Sequence, residues 1–335
     1  MSDNKYHTLF FKNKPMIKSH YSLVGKKEGN GNFKEYYDEI LNDDLMGEKS
    51  YESAERKMLQ KAVKKATERA NLTDDKIDAV VLGDLLNQIT SSSFTARELP
   101  SAFLGIYGAC STMAESLIIG SMLIDGGYMK NVICGTCSHF SSSEKQYRFP
   151  LELGNQRPVM AQWTVTGAGV SVLSAGEKGI KINSATIGKV EDYGVLDANN
   201  MGAAMAPSAY STLVTHFKNT NTKPNDYDLI LTGDLGKMGS DILRDFMENE
   251  GYALGENYHD CGAMIFSKTQ HTMQGGSGAG ASASILNSYV FKKMEAGEYK
   301  KVLFVATGAL LSPLTTFQGE SIPTVSHAVS LEYVE

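Results

Sequence analysis

Two rhythms of apolar and polar positions run along the 335 residues. From Tyr51 to Ala70, the positions Ala54, Met58, Ala62, Val63, Ala66 and Ala70 recur at helical spacing with lysine, glutamate and arginine between them. That spacing predicts an amphipathic surface helix. Ile77 to Asp84 is a short apolar run closed by Gly83 and Asp84, which predicts a buried strand. From Met113, the apolar Leu117, Ile118 and Leu123, with small Ala114 and Gly120 between them, predict a buried helix. Further strands are predicted at 132–135, 302–306 and 325–334. Residues 164–173 and 179–188 read as a strand pair, with Glu177 to Gly179 as its hairpin turn, completing a first sheet. Residues 1–50 read as two short strands and loops followed by a polar segment.

The predicted elements repeat. Asp78-Ala-Val-Val-Leu-Gly-Asp-Leu85 returns as Asp228-Leu-Ile-Leu-Thr-Gly-Asp-Leu235, at an offset of 150. Gly127-Tyr-Met-Lys-Asn-Val-Ile returns as Gly297-Glu-Tyr-Lys-Lys-Val-Leu, at an offset of 170. Each half reads helix, strand, small-residue turn, long buried helix, strand. The chain is therefore an α/β protein made of duplicated βαβαβ-type halves, 1–190 and 191–335, which pack as one body because no low-complexity linker divides them.

At the second offset Cys110 falls on Gly280, inside the glycine-rich turn 275–282. Gly108 and Ala109 precede Cys110, and Ser111 and Thr112 follow it as the start of the buried helix, with Glu115 near its first turn. A cysteine there feels the positive helix end and free backbone N–H groups, which favour thiolate and accept an anion. The alternative is a free cysteine packed under a tight turn, since cysteine is among the most buried residue types.

Composition narrows the function classes. A net charge of −6, with no basic run interleaved with aromatics, argues against a nucleic-acid surface. The first residues lack the apolar core of a secretion signal, and no apolar run reaches the roughly 20 residues that span a bilayer. Any membrane association then runs through partners. Four cysteines make no disulfide framework and point to a reducing compartment. Cys134 and Cys137 have the spacing of half a zinc site, but on one strand they face opposite sides, so no metal is expected. The 275–280 glycines lack the Gly-Lys-Ser/Thr of a phosphate loop and read as close packing beneath a pocket.

A duplicated α/β unit with a cysteine at the start of the first buried helix resembles the thiolase and ketoacyl-synthase superfamily. The segments 105–117, 139–150, 164–167, 227–234 and 306–313, spread over the whole chain, resemble the stage V sporulation protein AD family of endospore-forming bacteria. The resemblance implies a thiolase-like fold in a layered α/β/α/β/α arrangement, and a homodimer. It implies binding of dipicolinic acid (pyridine-2,6-dicarboxylate), alone or as its calcium chelate, with no cofactor of its own. It further implies work beside membrane-embedded proteins of the same sporulation operon. The chain would then sit peripherally on the cytoplasmic face of the forespore or spore inner membrane, taking up ligand in sporulation and releasing it at germination.

In the superfamily the acylated cysteine is joined by a histidine and an asparagine, or a second histidine, from the second half. Here Asp234 stands where a histidine is wanted, and Ser277 is nearest to the asparagine position. An ionised aspartate donates no hydrogen bond, and beside a thiol it opposes ionisation. The alternative function is acyl transfer by Cys110, for which His139 or His259 would have to supply the missing histidine. A small dianion needs charge-assisted donors and an aromatic face. Lys145, Arg148, Arg157 and Trp163 are the candidates, with Cys110, His139 and Ser277 as pocket residues against the ligand and Asp234 as a calcium-side oxygen if the chelate binds.

Overall fold

The computed structural model describes residues 7–147 and 157–335. The first half contributes β1 (Thr8–Phe10), β2 (Pro15–Val24), β3 (Glu39–Ile40), β4 (Ala79–Gly83), β5 (Ala102–Gly105), β6 (Asn131–Ser138), β7 (Trp163–Thr164) and β8 (Gly167–Ala175). The second contributes β9 (Gly179–Ile187), β10 (Leu229–Thr232), β11 (Tyr258–Asp260), β12 (Gly276–Ser277), β13 (Lys301–Ala309) and β14 (Thr324–Val334). The first-half helices are α1 (Lys26–Gly29), α2 (Tyr51–Arg69), α3 (Thr90–Ala96), α4 (Thr112–Asp125) and α5 (Phe140–Tyr147). Those of the second are α6 (Met201–Thr220), α7 (Gly236–Asn249), α8 (Cys261–Ile265), α9 (Ala279–Ile285), α10 (Phe291–Glu295) and α11 (Pro313–Phe317).

The main sheet runs β11-β10-β13-β14-β9-β2-β8-β6-β4-β5. Read outward from its centre, β2-β8-β6-β4-β5 and β9-β14-β13-β10-β11 are the same motif twice, with parallel outer strands and antiparallel inner ones. Along this strand order the two copies join where Met16 and Ile17 of β2 face Lys181 and Ile180 of β9. Side-chain alternation along the strands then builds two kinds of core. Ala79 and Val81 of β4 share one buried cluster with Met113 and Leu117 of α4, Ala281 and Ala283 of α9, and Val302 and Phe304 of β13. Val80 and Leu82 turn the other way, onto Met58, Leu59 and Ala62 of α2. Ile230, Leu303 and Ala328 turn onto Met205 and Leu213 of α6. The result is the five-layer α/β/α/β/α order, with α4 and α9 between the sheets.

Local sequence explains the layers. The Ser50 side chain caps α2 by accepting from Ser53 N–H at 3.2 Å. The central helices need small residues. A Cβ at Gly120 of α4 would lie 2.3 Å from Cys134 Sγ, and α9 is the wholly buried run Ala-Gly-Ala-Ser-Ala-Ser-Ile. A widened π turn at Leu286–Val290 follows α9. Within it the Asn287 carbonyl meets His20 Nδ1 at 2.7 Å, and the Asn287 side chain accepts from Ser171 Oγ at 2.7 Å.

Three expectations change. β8 and β9 do not form a hairpin, because β2 lies between them, contributed by a stretch read as short strands and loops. β9 occupies in the second motif the place of β2 in the first, so the strand order divides the halves between Ala175 and Gly179, ahead of residue 190. Short-range pattern cannot show this, since the pairing is between strands far apart in the chain. Finally, Ser111 and Thr112 do not cap α4 in the usual way. Their hydroxyls donate back to the carbonyls of Gly108 and Ala109, tightening a 3₁₀ turn over Ala109–Ser111.

Cys134 packs towards α4 and Cys137 towards α2, on opposite faces of β6. Among the described residues no cluster of histidine, cysteine, aspartate and glutamate could hold a metal ion.

The close approach of α9 to β8 is testable. A Cβ at Gly169 would lie 2.2 Å from the Ala283 carbonyl oxygen. Gly169→Ala should cost about 1–3 kcal/mol or more in denaturant unfolding, as overpacking does. An unchanged midpoint would contradict the helix placement.

Candidate functional site

Cys110 sits in the 3₁₀ turn that leads into α4, and Ala109 before it holds a left-handed φ of 50°. That conformation is uncommon for a residue with a Cβ and marks a sharp, over-determined turn. Second-half residues close over it. A Cβ at Gly308 of β13 would lie 2.1 Å from the Gly108 carbonyl oxygen, so only glycine lets the strand come this near. Gly278, at φ 97°, turns the chain into α9, and its N–H donates to Asp234 Oδ2 at 3.2 Å.

Asp234 follows β10 and is fully buried. Its carboxyl receives the Cys110 thiol as a hydrogen-bond donor, together with Thr307 Oγ1 at 2.8 Å. Burial pushes this carboxyl up to about 7, against the pull of those donors, and neighbouring Asp260 adds to the rise. Asp260, itself raised to about 6 by burial, receives the N–H groups of Leu235, Gly236 and Ala263, fixing the turn that carries Asp234. The position at which the superfamily resemblance implies a histidine thus holds a carboxyl in direct contact with the thiol.

A cavity of about 50 Å³ lies over Cys110. Ser277 and Gly278 line it from the second half, Ser143, Tyr147 and Thr164 from the first, and Tyr107 closes one side. Among the described residues no charged side chain lines it. Ser143 Oγ is buried in this wall with no hydrogen-bond partner.

Among the residues expected from sequence, Cys110, Asp234 and Ser277 come together here. The others do not. His139 is buried behind the wall, its Nε2 on the Asp44 carbonyl at 2.8 Å and its ring against Tyr51, so its proton chemistry is turned away from the cavity. His259 is exposed on the edge strand β11. Trp163 stacks on Phe140 at 4.0 Å, with Lys27 and Arg157 over its face. Arg157 pairs with buried Glu144 at 2.9 Å, and Glu144 in turn receives Thr164 Oγ1 at 3.2 Å. This cationic cluster therefore stands one residue behind the cavity. Lys145 pairs with Glu52 on the surface. Arg148 lies outside the described residues. Asp234 is screened from the cavity by Cys110, so a direct calcium contact would need Cys110 to move aside.

Sequence reasoning missed Tyr107 and Tyr147. Tyr107 could have been flagged as the one aromatic residue inside the small-residue stretch before Cys110. Tyr147 reaches the site only through tertiary packing.

Residues 5–332 match the family model Stage V sporulation protein AD (SpoVAD). The chain belongs to this family. The stage V sporulation protein AD of Bacillus subtilis (strain 168) is 42% identical over 325 residues, covering 97% of this chain and 96% of that one. Membership makes this a sporulation protein. Solved structures show the same thiolase-like fold at low identity. The 3-oxoacyl-[acyl-carrier-protein] synthase III from Aquifex aeolicus VF5 aligns at TM-score 0.59 and 15% identity, over 95% of this chain and 100% of that one. Human mitochondrial 3-ketoacyl-CoA thiolase in complex with CoA aligns at 0.58 and 12%, over 96% and 98%. Cerulenin-bound OleA from Xanthomonas campestris aligns at 0.61 and 11%, over 99% and 100%.

The Asp234 environment predicts a pH dependence. The unfolded chain loses this proton near 3.8, whereas the folded chain keeps it to about 7. The folded state binds more protons in that window, so the contribution to stability is present below about 4 and is lost as pH rises through about 7. At 1.36 kcal/mol per pH unit the loss is at most about 4 kcal/mol. Asp234→Asn should therefore gain in melting temperature relative to the parent on going from pH 5 to pH 8. Parallel pH profiles would show that Asp234 carries no retained proton.

Proposed function

We propose that the chain is a non-enzymatic binding protein for dipicolinic acid, free or as its calcium chelate. It would serve uptake into the developing spore and release at germination. The observation that carries this reading is the Cys110–Asp234 contact. The thiol retains its place at a helix start, but its partner is a buried carboxyl, which offers no standing positive charge to hold a thiolate. What remains is a pocket with neutral donors. Ser143, Ser277 and Tyr107 line a small cavity near the positive end of α4, beside Thr164 and Tyr147, whose hydroxyls donate to Glu144 and to the Leu85 carbonyl. The orphaned Ser143 hydroxyl supports occupancy, because buried polar atoms are rarely left without a partner.

Two further parts of the reading concern partners. β5 is an edge strand exposed along its length, with Phe103 and Leu104 over a third accessible, and this supports a homodimer through that edge. Among the described residues no helix is long and apolar enough to cross a membrane. Attachment to the spore inner membrane would then run through membrane-embedded partners.

A second reading, acyl transfer, is favoured by one observation. A carboxyl raised to about 7 lies in the range where a general base works, and it touches the thiol. Incubation with acyl-CoA followed by peptide mass analysis separates the two. The binding reading expects no adduct, and stoichiometric acylation of Cys110 would establish transfer in its place.

Calorimetric titration with dipicolinate, with and without calcium, tests the main proposal. Saturable one-to-one binding is expected, weakened about three- to tenfold in Ser277→Ala through loss of one hydrogen bond. Binding indifferent to Ser277→Ala and Cys110→Ala would move the site elsewhere, and no binding in either condition would reject the function.

A further inference from the structure

The 50 Å³ cavity over Cys110 is not the whole of the space on this face. In a cavity of this measure a water takes about 10–15 Å³, so the inner chamber holds only a few waters. A pyridine ring with two carboxylates exceeds it. Next to it lies an outer groove of about 440 Å³, bounded by 86–89, 105–107 and 310–313. Among the described residues only Tyr107, Tyr147 and Leu311 line both spaces.

The two phenols hold this boundary. Their oxygens are 3.3 Å apart, and Tyr147 donates its single proton to the Leu85 carbonyl. The proton between the phenols therefore comes from Tyr107, across a long and weak contact. Burial pushes both hydroxyls above their ordinary range, so both stay neutral donors. Tyr107 is 42% exposed on the groove side, whereas Cys110 beneath is 6% exposed.

The groove wall itself is constrained. Gln88 and Ile89 both adopt left-handed backbone, at φ 56° and 47°, which is costly for β-branched isoleucine. The turn is held by Gln146, the residue before Tyr147. Its Oε1 accepts from Asn87 N–H at 3.1 Å, and its Nε2 donates to Asn87 Oδ1 at 2.9 Å. The gate tyrosine and the strained wall therefore hang from the same last turn of α5.

We propose that Tyr107 and Tyr147 form an aromatic gate between the outer groove and the Cys110 chamber, and that the same hydroxyls read the ligand. A planar aromatic carboxylate enters along the groove and parts the phenols. It then takes Tyr107 Oη–H on a carboxylate, and Tyr147 Oη–H once that hydroxyl turns from the Leu85 carbonyl, while its ring lies against the phenol faces. Neutral phenols suit this task because a charged gate would hold the first anion it met. The gate stands on the geometry alone; the identity of the ligand rests on the function proposed above.

Alkylation of Cys110 tests the gate without any ligand. The full-length protein is treated with iodoacetamide and, separately, with the bulkier N-ethylmaleimide, and labelling is followed peptide by peptide. In the parent, Cys110 should react slowly with the maleimide. Tyr107→Ala and Tyr147→Ala should speed that reaction tenfold or more, with a smaller effect for iodoacetamide. Tyr147→Phe, which removes only the hydroxyl, should fall between. Cys134, Cys137 and Cys261 are buried and report unfolding, so their labelling disqualifies an alanine variant and leaves Tyr147→Phe to decide. Equal rates for the parent and every variant that keeps those three cysteines unlabelled, with both reagents, would overturn the gate.

Dipicolinate added before the maleimide tests the ligand separately. Protection of Cys110 in the parent, lost in Tyr107→Phe, is the expected result. A working gate with no protection would leave the gate in place and reject dipicolinate as its ligand. Equal protection in the parent and Tyr107→Phe would overturn the reading role of that hydroxyl.

Discussion

The close packing of two helices between two sheets sets the terms for everything else in this molecule. α4 and α9 share one buried core with the inner faces of both five-strand motifs. The space between sheets admits helix backbones only where side chains are small, hence Gly120 in α4 and the alanine, glycine and serine run of α9. The same constraint brings the starts of the two helices, and the strand ends β6, β10 and β13, to one place. Cys110 of the first half meets Asp234 and Gly278 of the second there because the layers leave them no other arrangement.

At that convergence the thiol of this sporulation protein meets a buried carboxyl. The cysteine turn is built with full rigour, with a left-handed Ala109, a glycine approach at Gly308 and hydroxyls that tie the turn. The group set against the thiol is a carboxyl that burial raises to about 7. It is itself held by a turn anchored on Asp260. On the function proposed above, the turn and its carboxyl serve recognition of a small anion. The neutral lining and the unpartnered Ser143 hydroxyl agree with that use.

Much of this was legible in the chain. The repeat at an offset of 150 corresponds to β4 and β10, and that at 170 to β6 and β13. Cys110 is marked by its place in the repeat, and Asp234 and Ser277 by the resemblance to the thiolase and ketoacyl-synthase superfamily; all three places are fixed by strand and helix ends. Signals that depended on pairing between distant segments were not legible. β2 reads locally as a short strand among polar residues, yet it separates β8 from β9. Arg157 and Trp163 carry the right chemistry for a dianion, but Glu144 and Phe140 had already claimed them, and no local pattern records that. His139 ends the strand beside the site, as expected for a ligand, but its ring turns to the Asp44 carbonyl.

The central claim is that the Cys110 site binds a carboxylate with its thiol unreacted. A crystal structure of the protein grown with dipicolinate tests it most directly. The account predicts a planar ligand across the boundary between the outer groove and the Cys110 chamber, carboxylate against Tyr107 and Tyr147, and Cys110 Sγ unmodified. A ligand seated elsewhere, against the Arg157 and Trp163 cluster for example, would contradict it, as would a covalent adduct on Cys110.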